Sequence, residues 1–559
     1  MARMNGGKAF VKSLRQYGID TIFGIPGVQL DQFFNALHDE GNAIRMVHTR
    51  HEQGGAYMAF GYAASTGKVG ACIAVPGPGM LNMTAALSTA YAANAPVLAL
   101  TGQVPSAQIG RGFGAHHELI DQLGALRAVI KWAQRIDHPA DAPRQVEAAF
   151  REMFTGRIRP VGLEMAPDVM ATDAEVSLRD PLPRPVAPGP DPEAIAAAAK
   201  LLGAAERPLI LAGGGAFGAE AELKAVAEML QAAVAPSRNG KGVIDARHAL
   251  ALPEAGGHRL WADADVVLAV GTRMYEQYQG WGVDAALKLV RIDVDPTEVA
   301  RAGKPAVAIV GDSRAALAAL ADAIGKHNKK RTSRKAELDA IRGEIQKSFE
   351  ALSPQYDYIR ALREELPEDG FVVSESTQLA YMARIAMPFY KPRSFVSPGY
   401  QGTLGYGFAT SLGVKVANPD KAVVSISGDG GFMFNVQELA TAVQQRIGVV
   451  ALVFNDNAYG NVKRTQVHSY GGRVIGTDLH NPDFPKMAEA FGAQGLRASN
   501  PAEFRACLKR GLGHSGPTLI EIPVGELPSP WHLMHFPRVR PKGAGAGTGG
   551  VGPNRSAGH

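Results

Sequence analysis

Cysteine is nearly absent. With 2 cysteines in 559 residues, the chain can build neither a disulfide framework nor a cysteine-rich metal site, and it suits a reducing cytoplasm. Cys72 falls in an apolar strand-like run and Cys507 in a helix-like one. No apolar run approaches the ~18 residues that a membrane-crossing helix needs. The opening Met1-Ala2-Arg3-Met4-Asn5 leads into a polar helical pattern without a signal-peptide core, so neither membrane insertion nor secretion is expected. Charge of one sign is scarce as well: the formal net charge is +5. The one dense basic run, Lys329-Lys330-Arg331 with Arg334 and Lys335, reads as a solvated linker. It lacks the interleaved aromatics of a nucleic-acid surface.

Apolar mass is plentiful. Hydrophobic residues make up 46% of the chain and charged residues 20%, with 64 glycines and 36 prolines spread along it, the composition of a globular enzyme with room for several cores. Short strand-like runs, Ala71 to Val75, Val97 to Thr101, Val266 to Gly271, Leu289 to Val294 and Phe371 to Ser374, alternate with helical patterns throughout. That alternation predicts an α/β protein of three doubly wound parallel-sheet domains. A proline-rich passage from Pro181 to Pro192 separates the first two. The expected bounds are 1–175 and 190–325, a charged helix or linker at 326–353, a third domain at 354–540 and an unordered glycine-rich tail at 541–559.

The third domain carries the sharpest signal. Val423 to Ser427 reads as a buried parallel strand that stops at Gly428-Asp429-Gly430-Gly431. A helix is expected from Asn435, with Asn435 and Glu438 as its capping box, and a second strand, Val449 to Phe454, then delivers Asn455-Asp456-Asn457. A right-handed crossover brings Asp429 and Asp456 together at the carboxyl ends of adjacent strands, where open α/β sheets bind ligands. Paired carboxylates suit Mg²⁺ shared with phosphate oxygens, and Gly428, Gly430 and Gly431 let backbone N–H groups approach those phosphates. Either tripeptide alone reads as a turn.

Their separation, 456 − 429 = 27 residues, resembles the signature of thiamin-diphosphate-dependent enzymes of the acetolactate synthase, benzaldehyde lyase and pyruvate decarboxylase group. The resemblance spans roughly residues 5 to 540. It implies a pyrimidine-binding first domain, a central domain and a diphosphate-binding third domain. By the same resemblance Asp429, Asp456 and the carbonyl of Ala458 bind the metal, with Tyr459 in the same cofactor-contacting segment. Thr377 and Gln378 stand where relatives touch the diphosphate. Leu404, between Gly402 and Gly405, corresponds to the apolar wedge beneath the bent cofactor. Glu52, in Arg50-His51-Glu52-Gln53-Gly54-Gly55 and followed by Gly77-Pro78-Gly79 with Asn82, corresponds to the catalytic glutamate that activates the cofactor through its aminopyrimidine ring. In the group, that glutamate and the metal anchor come from different subunits, so a homodimer or homotetramer is implied.

Substrate-facing positions match no single relative. Gln29, in Gly24-Ile25-Pro26-Gly27-Val28-Gln29, stands where benzaldehyde lyase has histidine. His116 and His117 follow Gly112-Phe113-Gly114 and could shuttle a proton near neutral pH; as bare loop residues they could equally face solvent. Val28 and Val462 stand where pyruvate decarboxylase has acidic partners, His468 and His480 are read as surface residues, and Trp531 to Phe536 as a docked surface helix or a lid over the active site. In the central domain Gly213-Gly214-Gly215-Ala216-Phe217-Gly218 fits G-x-G-x-x-G, but no acidic residue closes the next strand. The stretch from Pro253 to Ala262 is also short for the FAD-binding relatives, so the balance falls against FAD. The leading expectation is decarboxylation of a pyruvate-like 2-oxo acid with ligation to a second carbonyl compound. A 2-hydroxyketone or aldehyde lyase is the alternative, and a silent paralogue used as an assembly subunit is a third reading that intact Glu52, Asp429 and Asp456 oppose.

Overall fold

A computed structural model describes residues 1–541 apart from residue 302. The tail expected to be unordered therefore lies, from residue 542, outside the described residues.

Continuous apolar runs become fully covered parallel strands, because helices pack on both faces of each sheet. The first sheet runs Arg45–His48, Thr21–Gly24, Gly70–Ala74, Val97–Gly102, Val161–Met165, Trp132–Ile136. The third runs Phe395–Val396, Phe371–Ser374, Val423–Gly428, Val450–Asn455, Thr518–Pro523, Gln494–Arg497. Counted along the chain within each domain, both have the order 2-1-3-4-6-5, with every pairing parallel. The middle sheet is a shorter version, with Ala233–Pro236, Leu209–Ala212, Val266–Val270, Lys288–Asp293 and Val307–Val310 in the order 2-1-3-4-5. Each sheet thus has a switch point between its first and third strands, and a crevice opens outside their carboxyl ends.

The first and third domains share one core. Phe23, Tyr57, Phe60 and Met83 from the first lie in the same apolar cluster as Tyr406, Phe408, Leu412 and Phe432 from the third. Two helices, Glu52–Thr66 and Gly407–Ala417, meet at the centre of that cluster. The first buries 11 of its 15 residues, which explains why it shows no amphipathic period: it is apolar all round because it is covered all round. The contact depends on missing side chains. A Cβ on Gly61 would run into the Thr410 carbonyl oxygen, and one on Gly413 into that of Met58.

Two elements depart from the sequence expectation. The basic run is solvated only in part: Lys329, Lys330 and Lys335 are exposed, but the Arg331 guanidinium donates to the carbonyls of Ala205 at 3.0 Å, Leu202 at 3.0 Å and Gly203 at 3.1 Å. It thereby satisfies the open end of helix Pro192–Ala204. The helix Lys335–Glu350 follows. Beyond the last strand the chain turns back to the middle domain, where Arg540, 6% exposed, donates from Nε to the Trp261 carbonyl at 2.8 Å and from Nη1 to Asp284 at 2.8 Å. Phe536 stacks on His258 with ring centroids 4.6 Å apart. Among the described residues no helix is both long and apolar enough to cross a membrane.

Gly413→Ala should lower stability by ~1–3 kcal/mol through overpacking, although alanine is the better helix former. Chemical denaturation reads this as a lower midpoint, and an unchanged midpoint would show that the two helices can separate freely.

Candidate cofactor site

The third-domain crevice gathers most of the residues singled out in the sequence. Strand Val423–Gly428 ends in a single turn of helix, Asp429–Phe432, which places Asp429 at 1% exposure. Strand Val450–Asn455 ends beside it. Gly428 faces Thr377, with 3.4 Å from the position of a Cβ to the threonine hydroxyl, and a Cβ on Gly430 would stand 2.6 Å from the Tyr459 ring. Leu404 reaches toward Gly431, at 3.2 Å by the same measure. Gln378 donates to Asn461 Oδ1 at 2.7 Å, and its own amide oxygen has no partner among the described residues.

Asp429 and Asp456 lie close enough to disturb each other. Burial pushes the Asp429 carboxyl above the usual carboxylate range. Burial and the neighbouring Asp429 charge together push Asp456 up to about 6. Two like charges at the floor of a crevice, with the Ala458 backbone beside them, form a set that a hard divalent cation would neutralise. Among the described residues no group of three or more His, Cys, Asp or Glu gathers to cage a metal. A cation here would therefore complete its shell with ligand oxygens, as Mg²⁺ commonly does.

Two supporting residues, Asn481 and Glu375, carried no local signal in the sequence. Asn481 donates to Asp429 Oδ2 at 2.6 Å, to Asn455 Oδ1 at 3.0 Å and to Asn457 Oδ1 at 3.3 Å, tying both sides of the crevice together. Asn457 is held left-handed, with φ +54°. Glu375, 4% exposed, accepts from Gly405 N at 2.6 Å, Ser427 Oγ at 2.8 Å and Gly407 N at 3.3 Å. Burial pushes its carboxyl up to about 7 against those three donors. It fixes the turn that presents Leu404, in which Gly402 and Gly405 have φ of +61° and +82°. Glu438 does not make the expected capping box with Asn435. Asn435 Nδ2 donates to the Gly405 carbonyl at 2.6 Å, and Glu438 turns to the first domain. Tertiary partners outcompete the local cap.

The first-domain crevice gathers the rest. Glu52 opens the helix Glu52–Thr66, behind His51, whose Nδ1 accepts from Gln53 N at 3.2 Å. Asn82 Nδ2 donates to Glu52 Oε2 at 3.0 Å. Gln29, 6% exposed, donates to the His116 carbonyl at 3.2 Å and faces His117 Nδ1 at 3.3 Å. The two histidine rings stack 3.8 Å apart. Burial and then His116 hold His117 below the usual histidine range, while Glu52 opposes them, so His117 lies within electrostatic reach of Glu52. His117 has φ +69°, a strained backbone for a residue with a side chain. Its carbonyl lies where a Cβ on Gly77 would stand, 2.5 Å away. Gly77 N in turn donates to Gln122 Oε1 at 2.9 Å, and Gln122 is bound to buried Glu164 at 2.8 Å.

Among the described residues no hydrogen bond joins Glu52, Gln29 or His117 to Asp429 or Asp456. His468 and His480 are exposed. Trp531 packs on Tyr381 at 4.9 Å between ring centroids, and Tyr381 accepts from Asn461 at 3.0 Å, so the C-terminal segment lies next to Gln378. In the middle domain the N–H groups of Gly213 and Gly215 donate to the carbonyls of Val270 at 2.9 Å and Gly271 at 3.1 Å. The glycine loop therefore spends two donors on its own sheet, where a dinucleotide phosphate would need them free.

Three family models match in chain order: the N-terminal TPP binding domain of thiamine pyrophosphate enzymes at residues 4–125, the central domain at 195–320 and the C-terminal TPP binding domain at 376–522. The chain belongs to the thiamine pyrophosphate enzymes. It is similar to the probable 2-ketoarginine decarboxylase AruI of Pseudomonas aeruginosa, 35% identical over 93% of this chain and 94% of that protein. A probable acetolactate synthase large subunit of Methanocaldococcus jannaschii is also 35% identical, over 93% and 92% of the two chains. The acetolactate synthase isozyme 3 large subunit of Escherichia coli is 32% identical over 92% and 93%. The protein is thus a thiamin-diphosphate (thiamine pyrophosphate) enzyme, resembling acetolactate synthases, that makes or breaks a carbon–carbon bond.

The paired aspartates set a pH test. Burial and the Asp429 charge push Asp456 up to about 6 from an ordinary value of 3.8, so the folded state holds its proton longer than the unfolded one. Stability is lost as pH rises through that window. In chelator-treated protein, Asp456→Asn should gain thermal stability relative to the parent between about pH 4 and about pH 7, and added Mg²⁺ should shrink the difference. A pH-independent difference would refute the like-charge account.

Proposed function

We propose that this protein decarboxylates a pyruvate-like 2-oxo acid and joins the remaining fragment to a second carbonyl compound, in two or four identical subunits that share their active sites. The observation that carries this is the pairing of two half-sites: a glutamate held by Asn82 at the start of a buried helix, and two mutually repelling aspartates at the mouth of a glycine turn.

When bound, thiamin diphosphate supplies a carbon nucleophile and an electron sink beside a carbonyl group. Asp429, Asp456 and the Ala458 carbonyl hold Mg²⁺. The backbone at Gly428, Gly430 and Gly431, with Thr377, Gln378 and Tyr459, holds the diphosphate. Leu404, between Gly402 and Gly405, would pack against the cofactor from the apolar side. Glu52, held by Asn82 on Oε2, would face the aminopyrimidine edge with Oε1 as its acid/base partner. Gln29 orients the substrate carbonyl. His117, backed by His116, moves a proton at the substrate oxygen or carbon; burial and then His116 hold it below the usual histidine range. The spent donors at Gly213 and Gly215 favour a central domain without FAD, and the two buried free cysteines suit the cytoplasm.

Exposed apolar side chains lie close in sequence to the residues of both half-sites: Val28 at 65%, Phe113 at 68% and Ile120 at 99% next to Gln29 and His116-His117, and Phe434 at 47% and Val462 at 54% within six residues of Asp429 and Asp456. A second copy facing the first would cover both sets. The pairing of His117 with Gln29 also favours a second reading, decarboxylation that ends in protonation to an aldehyde; the similar Pseudomonas protein is named as a probable decarboxylase.

Purified protein with thiamin diphosphate, Mg²⁺ and a panel of 2-oxo acids, aldehydes and acyloins should release CO₂ from a 2-oxo acid and yield a ligated product. An aldehyde as sole product selects the second reading, and cleavage of benzoin with inert 2-oxo acids sinks both in favour of a lyase. Glu52→Gln should fold normally and lose about 100-fold or more in turnover. Mixing inactive Glu52→Gln with inactive Asp429→Ala chains under subunit exchange should recover roughly a quarter of the activity, because half the random dimers carry one intact site. No recovery would mean that each chain supplies its own complete site.

A further inference from the structure

Helix Glu52–Thr66 begins with an incomplete cap. In a capping box the third residue of the helix reaches back to the N–H of the capping residue. Here the capping residue is His51 and the third position is Gly54, which has no side chain to reach with. The space is filled from another domain. Glu438, 0% exposed on helix Glu438–Gln444, directs its carboxylate at this spot: His51 N donates to Oε1 at 3.0 Å, and Arg50 N donates to Oε1 and Oε2 at 3.2 Å each. Thr441 Oγ1 donates to Oε2 at 2.6 Å and holds the carboxylate in place. A Cβ on Gly54 would sit 2.7 Å from the carboxyl carbon of Glu438, so the bare glycine is what admits it. Around this core Arg50 Nη2 donates to Gln444 Oε1 at 3.2 Å.

We propose that Glu438 is a positioning residue for Glu52: it completes from the third domain the cap that the first domain lacks, and so fixes where the activating carboxyl group points. The inference rests on the role given to Glu52 above. Glu438 lies nine residues beyond Asp429 (438 − 429 = 9) on the segment that leaves the glycine turn. The segment that anchors a diphosphate therefore also sets the direction of a glutamate. In a shared-site dimer that glutamate serves the other active site, so each cofactor is mechanically connected to the acid of its neighbour.

Two substitutions reach the same bond from opposite sides. Glu438→Ala removes the acceptor, and Gly54→Ala expels it while raising helix propensity. Both should slow proton–deuterium exchange at C2 of bound thiamin diphosphate by about 10- to 100-fold, the scale for misplacing a reacting group. In cofactor-free protein both should speed amide exchange at Arg50 and His51. Glu438→Gln keeps one oxygen for both N–H groups, and Thr441 can turn its hydroxyl to accept, so C2 exchange should return to within about threefold of the parent. If Glu438→Ala does not fold, Gly54→Ala decides. Slow exchange in Glu52→Gln together with parental exchange in Gly54→Ala and Glu438→Ala overturns the positioning role alone. Parental exchange in Glu52→Gln removes the role of Glu52 and the positioning role with it.

Discussion

The Met58 and Thr410 carbonyl oxygens occupy the places where side chains would stand on Gly413 and Gly61, and the relation between the first and third domains depends on that contact. Without it the two sheets would be separate bodies, each with its own core. With it the helix that carries Glu52 is buried between them, surrounded by side chains from both. A buried helix cannot shift without opening cavities. The carboxyl group of Glu52, at its first residue, therefore inherits the rigidity of two domains, and Glu438 adds a polar contact at the neighbouring His51.

Charge follows the same logic at the aspartates. Asp429 and Asp456 are brought together by strand order, at the price of mutual repulsion, and Asn481 offsets part of the cost by donating to Asp429 and to both asparagines of the facing loop. Glu375 works under the neighbouring turn, with three donors around one buried carboxyl group. The crevice is thus a set of acceptors held ready, and the charge it lacks is positive.

Much of this arrangement is legible in the sequence because parallel strands buried on both faces are unbroken apolar runs. Phe371–Ser374 and Val423–Gly428 can be read directly, and the strand ends then place Asp429 beside Asp456. The supporting residues are a different matter. Asn481 lies 52 positions from Asp429, and Glu438 lies 387 positions from His51. A capping rule that looks three residues ahead paired Glu438 with Asn435, since it weighs only local partners. The basic run misled for the same reason: Arg331 looked solvated because its carbonyl partners, at residues 202 to 205, are distant in sequence. The strained backbone of His117 has no local signature either; Gly77, which closes against its carbonyl, is the neighbour that reveals it.

The returning C-terminal segment has a mechanical consequence. The third domain is joined to the middle domain covalently through helix Lys335–Glu350 and again through Arg540, whose guanidinium is buried among the carbonyls of Trp261 and Ala264. A body hinged at a single point can swing in any direction. The third domain has no such freedom, because Arg238 also donates to the Gly399 carbonyl at 2.7 Å and Ser397 to Asn239 Oδ1 at 2.6 Å, so chain ends and facing surfaces together resist a swing in any direction.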